Sequence, residues 1–454
     1  MGRCEREAAA ETHAMSWISW LCFGICLGIV LSCFRKGADM LSPARVFGFV
    51  WSLAVGLTEL KFSALQHTWN LLSWVLLLTG IAAFLVGIFI AFVLNLEKEL
   101  VPISEMRQLL RKERVRETQL FWFVSAAVAV YSISYLVIYL VKGFLPVFVV
   151  GTKISRVDFY VFGFGVFINS TAFIIFFTVL YHLLVQGKKG KKIFLTFISL
   201  IAVGSYFLLL QRFQIIMAAL MCFTLLYYAT NSIRLRTALP LLGAVTAFFY
   251  WIASLRGRHL ELLSMYIYTT AKMRFPKSFA SLTEPYMYMV MNLENFARSV
   301  NWLDHHTYGY FTFDFVTAIT GLKYWISDYF GIERFPYLVS GYNTYTAFWV
   351  LYRDFGVIGL ILIPWTLGLG IGLLYYRMRT KPTIKRVTAY GVMVFVMFIS
   401  FFVFPISFLW FLYNMLALYW ILRCTMIPRL GDVHSLVPSP QSNEVSSLGE
   451  RRLM

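Results

Sequence analysis

The chain has 454 residues, of which 59% are hydrophobic and 14% are charged, and its mean hydropathy is +0.70. Soluble domains are about half apolar and a quarter charged, so this composition excludes an ordinary soluble protein and indicates an integral membrane protein. The net charge of +18 is typical of a multi-pass protein with Lys and Arg in its cytoplasmic loops, and we therefore expect no nucleic-acid partner.

Apolar runs of about 20 residues, enough to cross a hydrocarbon core of roughly 30 Å, recur along the chain. They predict an all-α integral membrane protein with about eleven transmembrane helices. The predicted spans are 15–34, 44–60, 70–95, 119–141, 158–186, 193–210, 213–230, 237–255, 347–376, 387–404 and 406–422. Six cysteines lie mostly in or beside these runs without the paired spacing of a metal site or a disulfide framework, so we expect them to be packing residues.

Lys and Arg are distributed very unequally between alternate loops. Twenty lie in one set of loops, against five in the short loops of the other set. Because short loops rich in Lys and Arg stay in the cytoplasm, this predicts an N-terminus outside and a C-terminus inside. The basic loops are 35–45, 98–116, 188–192, 234–236 and 377–386.

This topology divides the chain into four parts. Residues 1–255 hold spans one to eight, and residues 256–346 form a long, partly helical extracytoplasmic segment. Residues 347–424 hold the last three spans, and the polar tail 425–454 reads as a disordered cytoplasmic end. We expect the function to lie in the long outer segment.

The outer segment contains many aromatic residues among its charges. Such residues favour the membrane interface, which predicts that the segment lies on the outer surface of the bilayer. An alternative is a groove for sugars, whose apolar faces stack on aromatic rings, and both interpretations stay open. The aromatic residues include Tyr266, Tyr268, Phe275, Tyr286, Tyr288, Trp302, Tyr308, Tyr310, Trp325, Tyr329, Tyr337, Tyr342 and Trp349.

Basic residues at the outer face are candidates for binding a lipid phosphate. Arg212 lies in a very short turn between two apolar runs, either capping a hairpin or presenting a fixed cation to phosphate. Two further clusters near the headgroup plane suit a diphosphate, or anchor the segment to anionic lipid. These clusters are Arg256, Arg258 and His259, and then Lys272, Arg274 and Lys277.

Carboxylate and imidazole groups in the segment are candidates for a general base. Glu294, His305 and His306 suit the removal of a proton from an acceptor hydroxyl. The alternatives are solvated loop residues for the two histidines, and a helix-surface salt bridge from Glu294 to Arg298 at i, i+4. The sequence has no HExxH motif and no acidic pair with DxD spacing, so we predict no metal and no cofactor.

The segment ends in GYNTYTAFWVLYRDFGVIGLILIP, residues 341–364. This stretch resembles the bacterial oligosaccharide repeat unit polymerases of the Wzy class, in which Asn-x-x-Thr precedes a Tyr-x-Asp-Phe-Gly turn. The number of spans, Arg212 after the sixth span and the pair Glu294 and Asn295 agree with this family, although the likeness in sequence is confined to 341–364. The matching residues are Asn343, Thr346, Tyr352, Asp354, Phe355, Gly356 and Gly359.

The resemblance implies a GT-C-like architecture in a bacterial inner membrane, and transfer of a growing glycan from undecaprenyl diphosphate to a new lipid-linked repeat unit. Membrane lipid and a chain-length-regulating membrane protein would be partners. Because the diphosphate leaves with a growing negative charge, arginines must stabilise it. The candidates are Arg212, Arg256, Arg258, Arg274 and Arg353 for the diphosphate, Glu294, His305, His306 and Asp354 for the base, and Asn343 and Tyr352 for the glycan.

Two other functions stay open at this point. The O-antigen ligases share the architecture and the donor but use a different acceptor, and His305 and His306 keep that alternative open. A lipid-linked oligosaccharide flippase would be a transporter, for which charged residues within the spans would be expected. The spans are almost free of such residues, which disfavours the flippase.

Overall fold

The computed structural model describes residues 16–35, 37–149, 159–231, 260–303, 305–332, 339, 342 and 344–427. Within these ranges the regular structure is helical, with isolated β-bridges only between Ser63 and Met273 and between Val115 and Met426. The all-α prediction is therefore confirmed for this part of the chain. The predicted span 237–255 lies outside the described residues, as does the tail from residue 428 onward.

Helices lie at the predicted spans in the first half of the chain that the structure describes. The predicted span 158–186 is two helices, α6 and α7, and a short amphipathic helix, α4, lies between two of the spans. The bounds are α1 Trp17–Ser32, α2 Pro43–Thr58, α3 Leu71–Val93, α4 Ile103–Arg111, α5 Glu117–Lys142, α6 Phe164–Ile168, α7 Thr171–Leu184, α8 Lys189–Phe207 and α9 Phe213–Ala229.

The second half adds helices of the outer segment and three further predicted spans. Short 3-10 helices cover Pro146–Phe148, Lys277–Leu282 and Pro405–Ser407. The α-helices are α10 Leu260–Thr270, α11 Thr283–Trp302, α12 Asp314–Thr320, α13 Leu322–Phe330, α14 Ala347–Thr380, α15 Ile384–Ile399 and α16 Leu409–Thr425.

Five stretches among the described residues are long and apolar enough to cross a membrane, and they make this a membrane protein. Shorter apolar helices, α1, α2 and α9, accompany them. The total of about eleven spans remains a prediction. The five stretches are Leu71–Val93, Glu117–Lys142, Phe164–Leu184, Lys189–Phe207 and Ala347–Thr380.

Helices α3 and α14 pack at backbone contact through glycine. A Cβ atom on Gly87 would lie 2.2 Å from the carbonyl oxygen of Trp365, and one on Gly368 would lie 2.1 Å from that of Phe84. Small residues permit this close approach between helices, which in lipid gain no hydrophobic energy from association. The pair fixes α3, the first helix after the loop 59–70, against α14, the helix that begins the last quarter of the chain.

Loops predicted to be extracytoplasmic lie together at one end of the bundle, which we call the predicted outer end. The backbone N–H of Ala64 donates to the Lys272 carbonyl at 3.0 Å, and that of Arg274 donates to Phe62 at 2.8 Å. These bonds join the loop 59–70 to the long outer segment. The loop after α15 joins them, since the Ala347 N–H donates to the Ser400 carbonyl at 2.8 Å.

The basic loops lie together at the opposite end, the predicted inner end. There a buried ion pair joins Asp39 to Arg379, with 2.7 Å between Oδ2 and Nη1. The hydroxyls of Tyr228 and Tyr375 each donate to the same Asp39 oxygen at 2.8 Å. The Asp39 carboxylate therefore joins three parts of the chain: its own loop, α9 and α14.

The middle of the outer segment is not a surface layer. Helix α11 packs on α2 and α3, and Met287, Val290, Leu293 and Phe296 are fully buried. The expectation that the segment lies on the bilayer surface is therefore wrong for α11. Exposed aromatic residues do occur at its C-terminal end, at Trp302, and after it, at Tyr308, Trp325 and Tyr329.

Candidate functional site

Helix α11 organises the polar residues of the predicted outer end. Its apolar residues recur at helical spacing, Pro285 stands in its first turn, and Glu284 there favours the positive end of the helix dipole. One side of the helix faces the loop 59–70, and another faces the segment 339–346. Both sides carry polar side chains that are largely buried, which sets this helix apart from an ordinary packing element.

Glu294 is the centre of the first cluster. Its side chain is 1% exposed, and it accepts hydrogen bonds from three donors of the loop 59–70. Oε1 accepts from the backbone N–H of His67 at 3.1 Å and lies 3.0 Å from His67 Nδ1, while Oε2 accepts from Trp69 Nε1 at 3.0 Å. The carboxylate therefore fixes the loop and the imidazole together.

Basic side chains surround this cluster. Arg298 Nε lies 3.8 Å from Glu294 Oε1, and Arg298 Nη2 lies 3.2 Å from His67 Nδ1. Lys61 Nζ lies 5.2 Å from the centre of the Trp69 ring. The i, i+4 pair of Glu294 and Arg298 thus forms, but its carboxylate is buried against a loop instead of lying on a helix surface.

Arg212 lies before the first turn of α9, facing the start of α11. Its guanidinium carbon is 5.7 Å from the centre of the Tyr288 ring, and Nη2 is 3.8 Å from Glu284 Oε1. Nε and Nη2 are buried and donate no hydrogen bond to any residue that the structure describes. Nearby, burial raises the pKa of Tyr342 to about 12, and Tyr288 and Glu284 add to that shift.

Two asparagines of α11 hold the segment that leads into α14. The Asn295 amide donates to the Thr344 carbonyl at 2.8 Å, and its oxygen accepts from the Val339 N–H at 2.9 Å. The Thr344 hydroxyl donates to Asn292 Oδ1. The adjacent residues Glu294 and Asn295 therefore hold different parts of the chain. The Glu294 carboxylate binds the loop 59–70, and the Asn295 amide binds Val339 and Thr344.

Asp354 is fully buried in the first turns of α14. Its carboxylate accepts from the backbone N–H groups of Thr312 at 2.5 Å and Phe311 at 3.3 Å, and from the Thr307 hydroxyl. These donors all belong to the turn 307–312. Asp354 thus anchors this turn, because both of its carboxylate oxygens accept hydrogen bonds from groups within the protein.

Helix α14 breaks directly after Asp354. Gly356 has φ 62° and ψ −145°, a conformation that essentially only glycine adopts. A Cβ there would lie 3.0 Å from His306 Nε2, and His306 Nδ1 lies 3.2 Å from the carbonyl oxygen of Arg353. The Tyr-x-Asp-Phe-Gly stretch is therefore a kink against which His306 packs.

The remaining candidates in the described residues have varied surroundings. Arg353 is 2% exposed and lies between aromatic rings, 4.3 Å from the centre of Phe311 and 5.0 Å from that of Trp349. Tyr352 is half-buried, with its ring edge-on to Phe296 and to His306. Tyr352 thus connects α11 to the kink. Arg274 and His305 are exposed.

Three candidates lie outside the described residues: Arg256, Arg258 and Asn343. Of the others, Glu294 lies on α11 and Tyr352 contacts it at Phe296, while Asp354, Arg353 and His306 lie together around the turn 307–312 and the kink. Arg212 contacts the first turns of α11. Among the described residues, no group of three or more His, Cys, Asp or Glu side chains is placed to hold a metal ion. Metal independence stays a prediction.

Sequence reasoning missed His67 and Trp69. Their stretch, KFSALQHTW, has no acidic residue of its own, so it gave no sign of a charged cluster. The carboxylate that binds them is supplied from 227 residues later in the chain. A polar His beside Trp in a short outer loop was the available signal, and it is a weak one.

No protein-family model matches this chain, and no curated protein or solved structure gives a significant match. The assignment of function therefore rests on the chemistry of the site and on the resemblance of residues 341–364.

Proposed function

We propose that this protein is a membrane glycosyltransferase that polymerises lipid-linked oligosaccharide repeat units. It moves a growing glycan from undecaprenyl diphosphate to the non-reducing end of a new lipid-linked unit, at the outer face of a bacterial inner membrane. The N-terminus would lie outside and the C-terminus in the cytoplasm. A chain-length-regulating membrane protein is a fitting partner, as the family resemblance implies.

The observation that carries this proposal is the state of Arg212. Buried donors without acceptors cost free energy, about 1–3 kcal/mol each and more for charged groups, so a native site normally supplies them with a partner. Nε and Nη2 of Arg212 have none among the described residues, and Glu284 is distant for an ion pair at 3.8 Å. A phosphate oxygen would satisfy both nitrogens, because a guanidinium binds phosphate in bidentate fashion.

The position of Arg212 suits a lipid phosphate more than a soluble one. It follows the apolar run of α8 and precedes that of α9, so it lies where a membrane headgroup would meet the protein. Tyr288 and Glu284, which contact it, belong to the same helix as Glu294. Tyr288 and Glu294 are separated by about 9 Å along that helix axis, at 1.5 Å per residue.

The reaction balances with these groups. The hydroxyl oxygen of the acceptor sugar attacks the anomeric carbon of the donor glycan, and its proton passes to a base. The bond between the anomeric carbon and the diphosphate oxygen breaks, and the electron pair stays on the leaving undecaprenyl diphosphate. Arg212 lowers the energy of the charge that develops there.

The test uses the purified full-length protein with authenticated lipid-linked repeat units, in the presence of a chelator. The wild type is expected to give a ladder of products, and Arg212→Ala to lower its initial rate by about 10²–10³-fold, as loss of one group that stabilises a developing anion does elsewhere. Arg212→Lys keeps the positive charge but loses the planar guanidinium that binds phosphate through two nitrogens, so its initial rate should lie between those of the wild type and Arg212→Ala. Arg423→Ala, an exposed arginine at the predicted inner end, is the matched control.

Three results would count against the proposal. Monomer alone from the wild type would overturn the polymerase assignment. An unchanged ladder from Arg212→Ala would overturn the role of Arg212 on the diphosphate. A single transfer to an unrelated glycolipid acceptor, without a ladder, would favour the O-antigen ligase alternative.

A further inference from the structure

We propose that His67 is the general base of the glycosyl transfer and that Glu294 is its positioning residue. This inference rests on the proposed function, and it adds a residue from the first outer loop to the site. It also changes the role expected for Glu294, which would act through the imidazole instead of on the sugar.

Glu294 itself is badly placed to meet a substrate hydroxyl. Its side chain is 1% exposed, and both of its oxygens accept hydrogen bonds from the loop 59–70. A general base must lie within hydrogen-bond reach of the proton that it removes. An incoming sugar would first have to displace His67 or Trp69.

His67 has the opposite combination of properties. Its side chain is 63% exposed, yet its orientation is fixed, because both its backbone N–H and its Nδ1 lie within hydrogen-bond distance of Glu294 Oε1. When Nδ1–H donates to a carboxylate, the neutral ring keeps its lone pair on Nε2. The nitrogen that can accept a proton is thus the one that Glu294 does not hold.

The charges around the imidazole are mixed. Glu294 and Arg298 approach Nδ1 from α11, at 3.0 Å and 3.2 Å, and Lys61 lies over the ring of Trp69 on the loop itself. Lys61 is also paired with Glu59 at 3.2 Å. The 3.0 Å contact between Nδ1 and Oε1 fits the tautomer that donates to Glu294, and Arg298, which can only donate, then lies beside this N–H without a hydrogen bond to it. The carboxylate stabilises the imidazolium that forms after proton transfer.

In the proposed step, His67 Nε2 takes the proton of the acceptor hydroxyl as that oxygen bonds to the anomeric carbon. The bond from this carbon to the diphosphate oxygen breaks, and its electron pair leaves with the undecaprenyl diphosphate. The imidazolium then returns its proton to solvent. The base and Arg212 contact α11 at different places, His67 at Glu294 and Arg212 at Glu284 and Tyr288.

His67→Asn is the decisive variant, because an Asn amide can still donate to Glu294 from the position of Nδ1 but offers nothing at Nε2. We expect its ladder rate to fall by about 10²–10⁴-fold, the usual contribution of a general base. Binding of the lipid-linked unit should be unchanged. The pH profile of the rate should also differ between the two proteins, because the residual rate of His67→Asn should depend on hydroxide instead of on an imidazole.

Three further variants complete the design. His67→Gln places an amide near the position of Nε2 and cannot take a proton, so it should be equally slow, and it serves if His67→Asn is unstable in thermal unfolding. Glu294→Gln should give an intermediate loss. His182→Asn, whose ring contacts Thr196 far from the site, is the control and should match the wild type.

The outcomes separate the two proposals. A wild-type ladder together with His67 variants of full rate and unchanged pH profile would overturn the role of His67 and leave the polymerase intact. A wild type without a ladder would overturn the polymerase and, with it, the base. Loss of substrate binding in His67→Asn, with the rate of bound substrate unchanged, would make His67 a binding residue and not the base.

Discussion

Arg212 and Asp354 are charged side chains at the predicted outer end, and their surroundings differ in kind: Asp354 is fully buried, whereas Arg212 is 21% exposed with Nε and Nη2 buried. The carboxylate of Asp354 accepts hydrogen bonds from three donors of one turn, whereas Nε and Nη2 of Arg212 donate to no described residue. A satisfied charge stabilises a local fold, and an unsatisfied one is available to a ligand. This contrast separates the two residues although both were candidates from sequence.

For Asp354 the expected effect of substitution is on stability. Asp354→Asn replaces one acceptor oxygen by an amide that faces backbone N–H donors, which leaves a buried donor unsatisfied at a cost of about 1–3 kcal/mol. Thermal unfolding and limited proteolysis of the turn 307–312 measure this. Asp328→Asn, an exposed residue of α13, is the control. Full stability of Asp354→Asn together with loss of activity would instead support Asp354 as the base.

The local sequence around His67 explains why this residue was not predicted. Its local sequence contains no acidic neighbour, and its partner lies 227 residues away. Hydrogen bonds across such a separation depend on how helices pack, and a single sequence carries no information on that. The i, i+4 spacing of Glu294 and Arg298 was readable, but the burial of the Glu294 carboxylate was not.

Among the elements, the apolar helices were predictable and α11 was not. Long unbroken apolar runs give spans directly, because a hydrocarbon core requires about 20 such residues. In α11 the apolar positions are interrupted by the polar residues Asn292, Glu294, Asn295 and Arg298. No stretch of this helix is therefore apolar enough to be predicted as a membrane span. Its burial comes from packing against α2 and α3. The kink in α14 needed Gly356, which the motif singled out without indicating a break in a helix.

The contact between α3 and α14 makes a prediction at the scale of elements. Gly87→Ala puts a Cβ 2.2 Å from the Trp365 carbonyl oxygen, so the two helices must separate. Overpacking of this kind typically costs about 1–3 kcal/mol, and we expect a lower melting temperature in detergent. Gly24→Ala is the matched control, because a Cβ on Gly24 meets nothing within 4 Å. Equal melting temperatures for both variants would mean that the helices do not touch as described.

For the whole molecule, loops rich in Lys and Arg alternate with loops that have few, and this alternation predicted two groups of loops. The structure has contacts within each group, at opposite ends of the helix bundle. The loop 59–70 bonds to the outer segment, and Asp39 bonds to Arg379 at the basic end. The sequence therefore predicted which loops are neighbours, since each helix reverses the direction of the chain. It gave no indication of the hydrogen bonds that join them.

Which end faces the cell exterior can be measured by labelling. A single cysteine in place of the exposed Thr68 should react with a membrane-impermeant maleimide in intact spheroplasts, and one in place of the exposed Gly187 should react only after permeabilisation. The five described native cysteines range from buried to half-buried, and all six are first changed to serine or alanine. Labelling in the reverse pattern would invert the topology and place Arg212 on the cytoplasmic side.

The separation between His67 and Glu294 also has a consequence for biosynthesis. At about 5–20 residues per second, a ribosome needs roughly 10–45 seconds to make the 227 residues between them. During that interval the loop 59–70 lacks the carboxylate that orders its histidine and tryptophan. The proposed site is thus assembled late, after most of the described helices have been made, and a nascent chain lacks the Glu294 carboxylate beside His67 until α11 has joined the bundle.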